Sequence, residues 1–236
     1  MPKENLIKKV IARASYEIGK LKPDYHKSFS QCGEDMIARY YLNRKKGFYV
    51  DIGAYHPKKI SNTFYFYLRG WRGINIDGSK KAIALFKKAR PKDINLNTCV
   101  GLTNEDAEIQ FFHFKSPELN TFKAESLPEI LKYHKQSPVS VETISLRSLE
   151  SILDENLPKN QEIDLMTIDA EGADFEILLS NNWDLYRPKV IVIEKHCTIY
   201  EFLQSDMHQF LINKAYTLGG YCRHSYVFHK IDHDGF

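Results

Sequence analysis

Phe48-Tyr49-Val50-Asp51-Ile52-Gly53-Ala54-Tyr55-His56 is the stretch that decides the fold of this chain. A short run of β-forming, mostly apolar residues meets an acid and then a glycine. That is the signature of a buried strand leading into a tight turn. The pattern recurs on either side of it. Residues 73–77, 94–100, 163–169 and 190–194 read as further buried strands, with a short strand over 107–112 and a closing one over 226–229. Helical stretches fall between them at 34–42, 61–69 (capped by Ser61 or Asn62), 79–89, 175–179 and 205–213. Strands alternating with helices predict an α/β domain with a parallel sheet and helices on both faces. In such sheets ligands bind beyond the carboxyl ends of the strands.

Two segments stand outside this rhythm. Residues 113–139 are polar, contain Pro117, Pro128 and Pro138, and read as a lid-like insertion. Residues 1–21 carry Leu6, Ile7, Val10, Ile11, Ala14 and Ile18 at helical spacing, opposite Lys3, Lys8, Lys9, Arg13 and Lys20. This predicts an amphipathic helix packed on the domain or on a partner subunit; the alternative is contact of its basic face with a membrane surface or an anionic partner. Lys22-Pro23-Asp24 ends it, so the organisation is an N-terminal helix and linker over 1–28 and one domain over 29–236.

Composition excludes several classes. The net charge is +3 in 236 residues, too small to argue for a nucleic-acid partner. Cys32, Cys99, Cys197 and Cys222 form no C-x-x-C pair, which leaves no zinc knuckle and points to free thiols in a reducing compartment. Neither a secretory signal nor a membrane-length apolar run is present, and a cytoplasmic location is expected. The aromatic run Phe64-Tyr65-Phe66-Tyr67 reads as core packing, and the basic run over 80–90 as the solvated face of a helix.

The chemistry is expected at strand ends. Asp51 and Gly53 close the first strand, where the glycine lets a ligand approach the backbone. The later glycines of G-x-G-x-x-G are missing, which disfavours a dinucleotide pyrophosphate. Asp77 ends the second strand, where a carboxylate can accept both hydroxyls of a ribose or help to cap the next helix before Gly78-Ser79. Asp169 and Glu171 follow the fourth long strand, and Glu194 and His196 end the fifth, with their side chains on one side. Carboxylates in such a crevice are costly unless they bind or react, and histidine suits proton transfer near neutral pH.

Taken in order, Ser30-Gln31-Cys32-Gly33-Glu34-Asp35, residues 48–54, Ser61-Asn62-Thr63, Gly70-Trp71-Arg72-Gly73-Ile74-Asn75-Ile76-Asp77 and Ile168-Asp169-Ala170-Glu171-Gly172 resemble the motifs of the FkbM family of S-adenosylmethionine-dependent methyltransferases, over about residues 30–230. Two positions depart from it. Tyr55-His56-Pro57 stands where the family more often has Asn after Gly-Ala, reshaping the wall near the methionine moiety. Asp77-Gly78 stands where Glu-Pro is common, a chemically mild change.

The resemblance implies a Rossmann-like class I methyltransferase fold, a mostly parallel seven-stranded sheet whose last strand runs antiparallel. It also implies O-methylation, often of sugars in glycans or glycosylated products, and so a sugar or glycan acceptor in polysaccharide biosynthesis. On this reading S-adenosylmethionine lies over the strand ends, with Asp51 and Gly53 at its methionine part, Asp77 at the ribose and Cys99 and Val100 at the adenine. Gln31, Glu34, Gly78 and Ser79 are also on the cofactor side. The acceptor hydroxyl enters near Thr121, and its proton has two destinations. Either His196 or Asp169, with Glu171 beside them, takes it, or Asp169 and Glu194 hold magnesium or manganese that lowers the hydroxyl pKa. An NAD-dependent oxidoreductase is disfavoured by the missing glycines. A non-catalytic module serving a glycosyltransferase partner is disfavoured by the retained acids, and a nucleic-acid methyltransferase by the lack of a D-P-P-Y or N-P-P-Y motif. The sequence leaves oligomeric state open.

Overall fold

The computed structural model describes residues 27–42 and 44–231, so the expected N-terminal helix lies outside the described residues. The strands in chain order are β1 (Phe48–Ile52), β2 (Arg72–Ile76), β3 (Ile94–Leu96), β4 (Cys99–Val100), β5 (Ala107–His113), β6 (Ser140–Arg147), β7 (Leu165–Ile168), β8 (Val190–Glu194), β9 (Tyr216–Cys222) and β10 (Ser225–Lys230). Seven of them form one sheet in the order β3-β2-β1-β7-β8-β10-β9. Its pairings are parallel from β3 through β8, and β10 runs antiparallel to both of its neighbours. Strand order reverses between β1 and β7, which puts the ligand crevice of an open α/β sheet beside that pair.

Both faces are covered, as the near-continuous apolar strands require. Phe48, Val50 and Ile52 point into the larger core with Met166, Ile168, Ile191 and Ile193. Against them pack α5 (Leu149–Asn156), α6 (Asp174–Leu179), α7 (Ile199–Leu203) and α8 (Asp206–Asn213). Tyr49, Leu165, Val192 and Val227 point the other way, towards α1 (Glu34–Tyr41), α2 (Phe64–Leu68) and Trp71. The aromatic run forms α2, and its Phe66 packs on Trp71 with ring centroids 4.7 Å apart. The expected helix over 61–69 is thus shorter than the sequence suggests. Neither Ser61 nor Asn62 caps it: the Ser61 hydroxyl accepts from Arg90, the Asn62 amide donates to Thr167, and Thr63 at the N-cap position makes no capping bond.

Two further expectations are corrected. The strand over 94–100 is broken at Asn97, whose side-chain amide donates to the carbonyls of Asp77 (3.0 Å) and Gly78 (2.8 Å). After this break β4 joins β5 and β6 in a second sheet of order β4-β6-β5. The basic run is solvated only in part. Lys80, Lys81, Lys87 and Lys88 of α3 (Lys80–Ala89) are exposed, whereas Arg90 is completely buried.

The insertion over 113–139 has structure of its own. It contains two short 3-10 turns and α4 (Leu127–His134), and Phe112, Phe114, Leu119 and Ile130 form a small separate core. It leaves and re-enters the second sheet, which sets it over the carboxyl ends of the main one. Among the described residues no helix is long and apolar enough to cross a membrane.

Candidate active site

A cavity of about 1410 Å³ opens over the strand ends, lined by the segments after β1, β2, β7 and β8 and by the insertion. Pockets for single small molecules are roughly 300–1,000 Å³, so this one has room for a cofactor and an acceptor together. Every residue expected at the site from sequence lines it.

On the β1–β2 side the acids are held by the protein itself. Asp51 accepts a 2.5 Å hydrogen bond from Thr63 through Oδ2. Burial pushes its pKa up to about 6, against the pull of Arg90. Its Oδ1 has no partner among the described residues and is not sealed off. Asp77 accepts from the backbone N–H of Tyr55 (2.8 Å) through Oδ2 and of Ser79 (2.6 Å) through Oδ1. Burial raises its pKa and those two N–H groups oppose the rise. A carboxylate has about four acceptor positions, so Asp77 retains capacity for two hydroxyls. Ser79 caps α3 by accepting from the Ala82 N–H. Gly78 lies under the ring of Phe111, which forms an aromatic wall with buried Cys99 and Val100.

Gly53 lines the cavity and also meets a second constraint. Its φ is 73°, and a Cβ there would stand 1.7 Å from the carbonyl oxygen of Asp169. This close approach is between the loops after β1 and β7, at the wall of the same cavity. Glu34 is similarly engaged within the protein. Buried, it accepts from the Cys32 N–H (2.8 Å) and Ser225 Oγ (3.2 Å), while Gln31 is exposed at the rim.

On the β7–β8 side the acids face one another. Asp169, Glu171, Glu194 and His196 converge there, and Glu171, Glu194 and His196 bring one ligand atom each within 4.8 Å of the others. Burial and then the charge of Glu194 raise Asp169 well above the usual carboxylate range. Burial also works against ionisation of Glu194, but hydrogen bonds with His196 and Asp169 outweigh it and hold its pKa low. The two carboxyls therefore titrate as a pair, with the charge of Glu194 favouring the protonated form of Asp169. Glu171 is pushed up to about 8 by burial and by Glu194. His196 Nε2 lies 3.3 Å from Glu194 Oε2, which raises the imidazole pKa, and its ring stacks on His224 at 4.5 Å.

Sequence reasoning passed over Asp174, Lys123 and Glu176, and gave Asn62 and Thr121 other roles than the contacts they make here. Asp174 accepts from the N–H groups of Ala170 (3.0 Å) and Gly172 (3.1 Å), which curls the loop so that Glu171 takes a φ of 48°. A left-handed non-glycine residue in such a place stores strain at the site. Asn62 donates to Thr167 Oγ1 (2.9 Å). Thr121 is itself buried, its hydroxyl donating to the Glu171 carbonyl (3.3 Å), and Lys123 pairs with Glu176. The Thr121 and Lys123 contacts tie the insertion to the acidic loop and to α6 after it. The proximity of Asp174 to Asp169-Ala170-Glu171-Gly172 was a usable signal; the contacts across the insertion were not.

The family model described as Methyltransferase FkbM domain matches residues 51–222. Among solved structures, the crystal structure of precorrin-6y C5,15-methyltransferase from Geobacter metallireducens GS-15 is 11% identical, with a TM-score of 0.36, covering 82% of this chain and 84% of that chain. No curated protein matches the chain.

Proposed function

The chain belongs to the FkbM methyltransferase family, which uses S-adenosylmethionine, and from that premise we propose that it methylates a hydroxyl of a sugar in a glycan or glycoconjugate. One observation carries the proposal. Acids at the ends of β1 and β2 keep oxygens free for a cofactor, while a second set of acids with a histidine, at the ends of β7 and β8, lines the same cavity.

The cofactor, when bound, supplies an electrophilic methyl carbon on a sulfonium. Asp51 Oδ1 is the acceptor for its ammonium group, Asp77 for the ribose hydroxyls, and Phe111, Cys99 and Val100 form the apolar wall for the purine. His196 is the base for the acceptor hydroxyl. Glu194 holds one ring nitrogen and stabilises the imidazolium that forms, which leaves Nδ1 for the hydroxyl. Glu171, pushed up to about 8, donates a hydrogen bond to a sugar oxygen, and Asp169 beside it helps to position the nucleophile, which supplies much of the acceleration. Burial and the charge of Glu194 raise Asp169, so in this reading it is a positioning group and not the direct base.

A second reading rests on the closeness of Glu171, Glu194 and His196: a divalent cation, magnesium or manganese, held there with Asp169 beside it. A chelator separates the two, because only the cation reading loses activity with it and regains activity with added magnesium or manganese. The first test of the proposal is calorimetric titration with S-adenosylmethionine and S-adenosylhomocysteine, with NAD as control, followed by mass-spectrometric detection of methyl transfer to sugar acceptors. Asp169→Ala is expected to bind cofactor and lose transfer. Full transfer by that variant, or binding of NAD alone, would overturn the assignment.

A further inference from the structure

Arg90 is completely buried, yet among the described residues no carboxylate oxygen lies within 4.0 Å of its guanidinium. Its contacts are all to neutral oxygens. Nε and Nη2 donate to the Pro57 carbonyl (3.1 and 2.5 Å), and Nη2 also to Ser61 Oγ (3.0 Å). Nη1 donates to Thr63 Oγ1 (2.8 Å), the Tyr49 hydroxyl (3.2 Å) and Asn75 Oδ1 (3.3 Å). The rings of Phe86, Tyr67, Tyr49 and Phe64 surround it at 5.0 to 5.7 Å. A buried cation without an ion-pair partner is a costly way to fill space, and an apolar side chain would fill it at less cost. The charge is therefore explained by what it acts on at one remove.

Two acids stand one bridging group away. Thr63 accepts from Arg90 and spends its own proton on Asp51. Tyr49 and Asn75 accept from Arg90 and donate to Asp93. The first bridge leads into the cavity. Pro57, Ser61 and Thr63 belong to the loop after β1, whose inner side, from Gly53 to Asn62, lines the crevice. Arg90 grips this loop from its outer side at three points.

We propose that Arg90 is a positioning residue for the cofactor half of the site, fixing the loop after β1 and, through the hydroxyl of Thr63, orienting the Asp51 carboxylate towards the cofactor. The inference rests on the reading that Asp51 faces S-adenosylmethionine. Its charge also favours ionised Asp51 against burial and against the repulsion of Asp77 and Asp93, the other charged groups that face this carboxylate.

Thr63→Val keeps the shape of the side chain and removes the bridging hydroxyl, whereas Thr63→Ser keeps the hydroxyl. Calorimetric titration of S-adenosylmethionine into the wild type, both Thr63 variants and Arg90→Lys, each checked for folding by thermal melt, decides the matter. Thr63→Val is expected to weaken cofactor binding by about tenfold or more at neutral pH, the scale of a lost hydrogen bond to a charged group. The deficit should shrink as pH rises, because Asp51 without its bridge ionises later. Thr63→Ser should bind within a few-fold of wild type, and Arg90→Lys, which cannot reproduce the planar fork, should follow Thr63→Val. If Arg90→Lys does not fold, the Thr63 pair decides alone. Wild-type affinity in Thr63→Val, or equal losses in Thr63→Val and Thr63→Ser, would overturn the inference while leaving the cofactor reading intact. No binding by the folded wild type would remove that reading, and this inference with it.

Discussion

Gly53→Ala is the most direct test of how the two halves of the site are joined. At Gly53 the backbone has a φ of 73°, and an added Cβ would stand 1.7 Å from the Asp169 carbonyl oxygen and 2.6 Å from its carbonyl carbon. Real Cβ atoms essentially never come within 3.0 Å of such a neighbour, so the two loops must part by more than about 1 Å. Neither side yields easily. The Gly53 and Ala54 N–H groups are bonded to the Ile76 carbonyl at 3.0 and 3.1 Å, and the Asp169 N–H to the Ile52 carbonyl at 3.0 Å. The left-handed backbone costs an alanine about 1–2 kcal/mol and the overlap about 1–3 kcal/mol, together roughly 2–5 kcal/mol. In a domain of this size that lowers Tm by on the order of 10 °C. Gly70→Ala isolates the backbone part, because Gly70 has a φ of 87° and nothing within 4 Å of the added carbon. It should lose only the first contribution. A shift of about 1 Å at Asp169 should also cost about 100-fold in kcat/KM. Thermal melts and methyl-transfer rates of the two variants, side by side, provide the measurement. Equal melting of Gly53→Ala and Gly70→Ala, with kcat/KM of the former within a few-fold of wild type, would refute the packing argument.

Glu194→Gln removes the charge that raises the His196 pKa. The ascending limb of kcat/KM against pH should move to lower pH, with a lower plateau because the imidazolium loses its counter-charge; an unmoved limb would exclude His196 as the base. Asp77→Asn should weaken S-adenosylmethionine binding by about tenfold by calorimetry, since one oxygen that accepts from N–H and hydroxyl groups becomes a donor. An unchanged Kd would remove Asp77 from the ribose site. Finally, burial raises the pKa of Asp51 and Asp174 to about 6 and of Glu171 to about 8 in the folded protein. The folded state then binds more protons than the unfolded one, and stability falls as pH rises from the unfolded carboxylate range near 4 towards 8. Thermal melts of the ligand-free protein should show Tm falling across that window, and a rising Tm would contradict the burial of these groups.

The parts of this molecule legible in its sequence are those set by local rules. β1 and β8 are found at the residues expected from their unbroken apolar runs, because burial on both faces leaves no other pattern. The acids after β1, β2, β7 and β8 were legible for the same reason, since a strand end in an open α/β sheet fixes where the next side chains go. What was not legible depends on distant partners. β9 was missed because Tyr216–Cys222 contains Gly219 and Gly220, which weaken a strand pattern. Both glycines have α1 at their back, where Tyr41 and Ile37 lie close to where a Cβ would stand. β6 lies in the second sheet, with only partial burial to mark its period. Arg90 follows four exposed lysines in α3 and looks like a fifth surface cation. Only the fold shows that the chain has by then turned inward beneath the loop after β1.

The two halves of the cavity solve opposite electrostatic problems, and the difference orders the reaction. In the cofactor half each acid is answered from within the protein, Asp51 by Thr63 and Arg90, Asp77 by two backbone N–H groups. These carboxylates are preorganised, so a ligand binding there meets fixed acceptors. In the acceptor half the acids crowd one another, and His196 is the cationic partner of Glu194. Burial and the charge of Glu194 raise Asp169, and Glu171 is raised by the same two causes. A group that donates hydrogen bonds, accepts a proton's worth of charge rearrangement, or is itself a cation gains most in that half. The proposed sugar hydroxyl, meeting His196 beside Asp169 and Glu171, fits this demand. The Gly53–Asp169 contact fixes the distance between the halves, which is the one parameter an in-line methyl transfer cannot relax. The missing side chain at Gly53 is therefore what sets the geometry between the two halves.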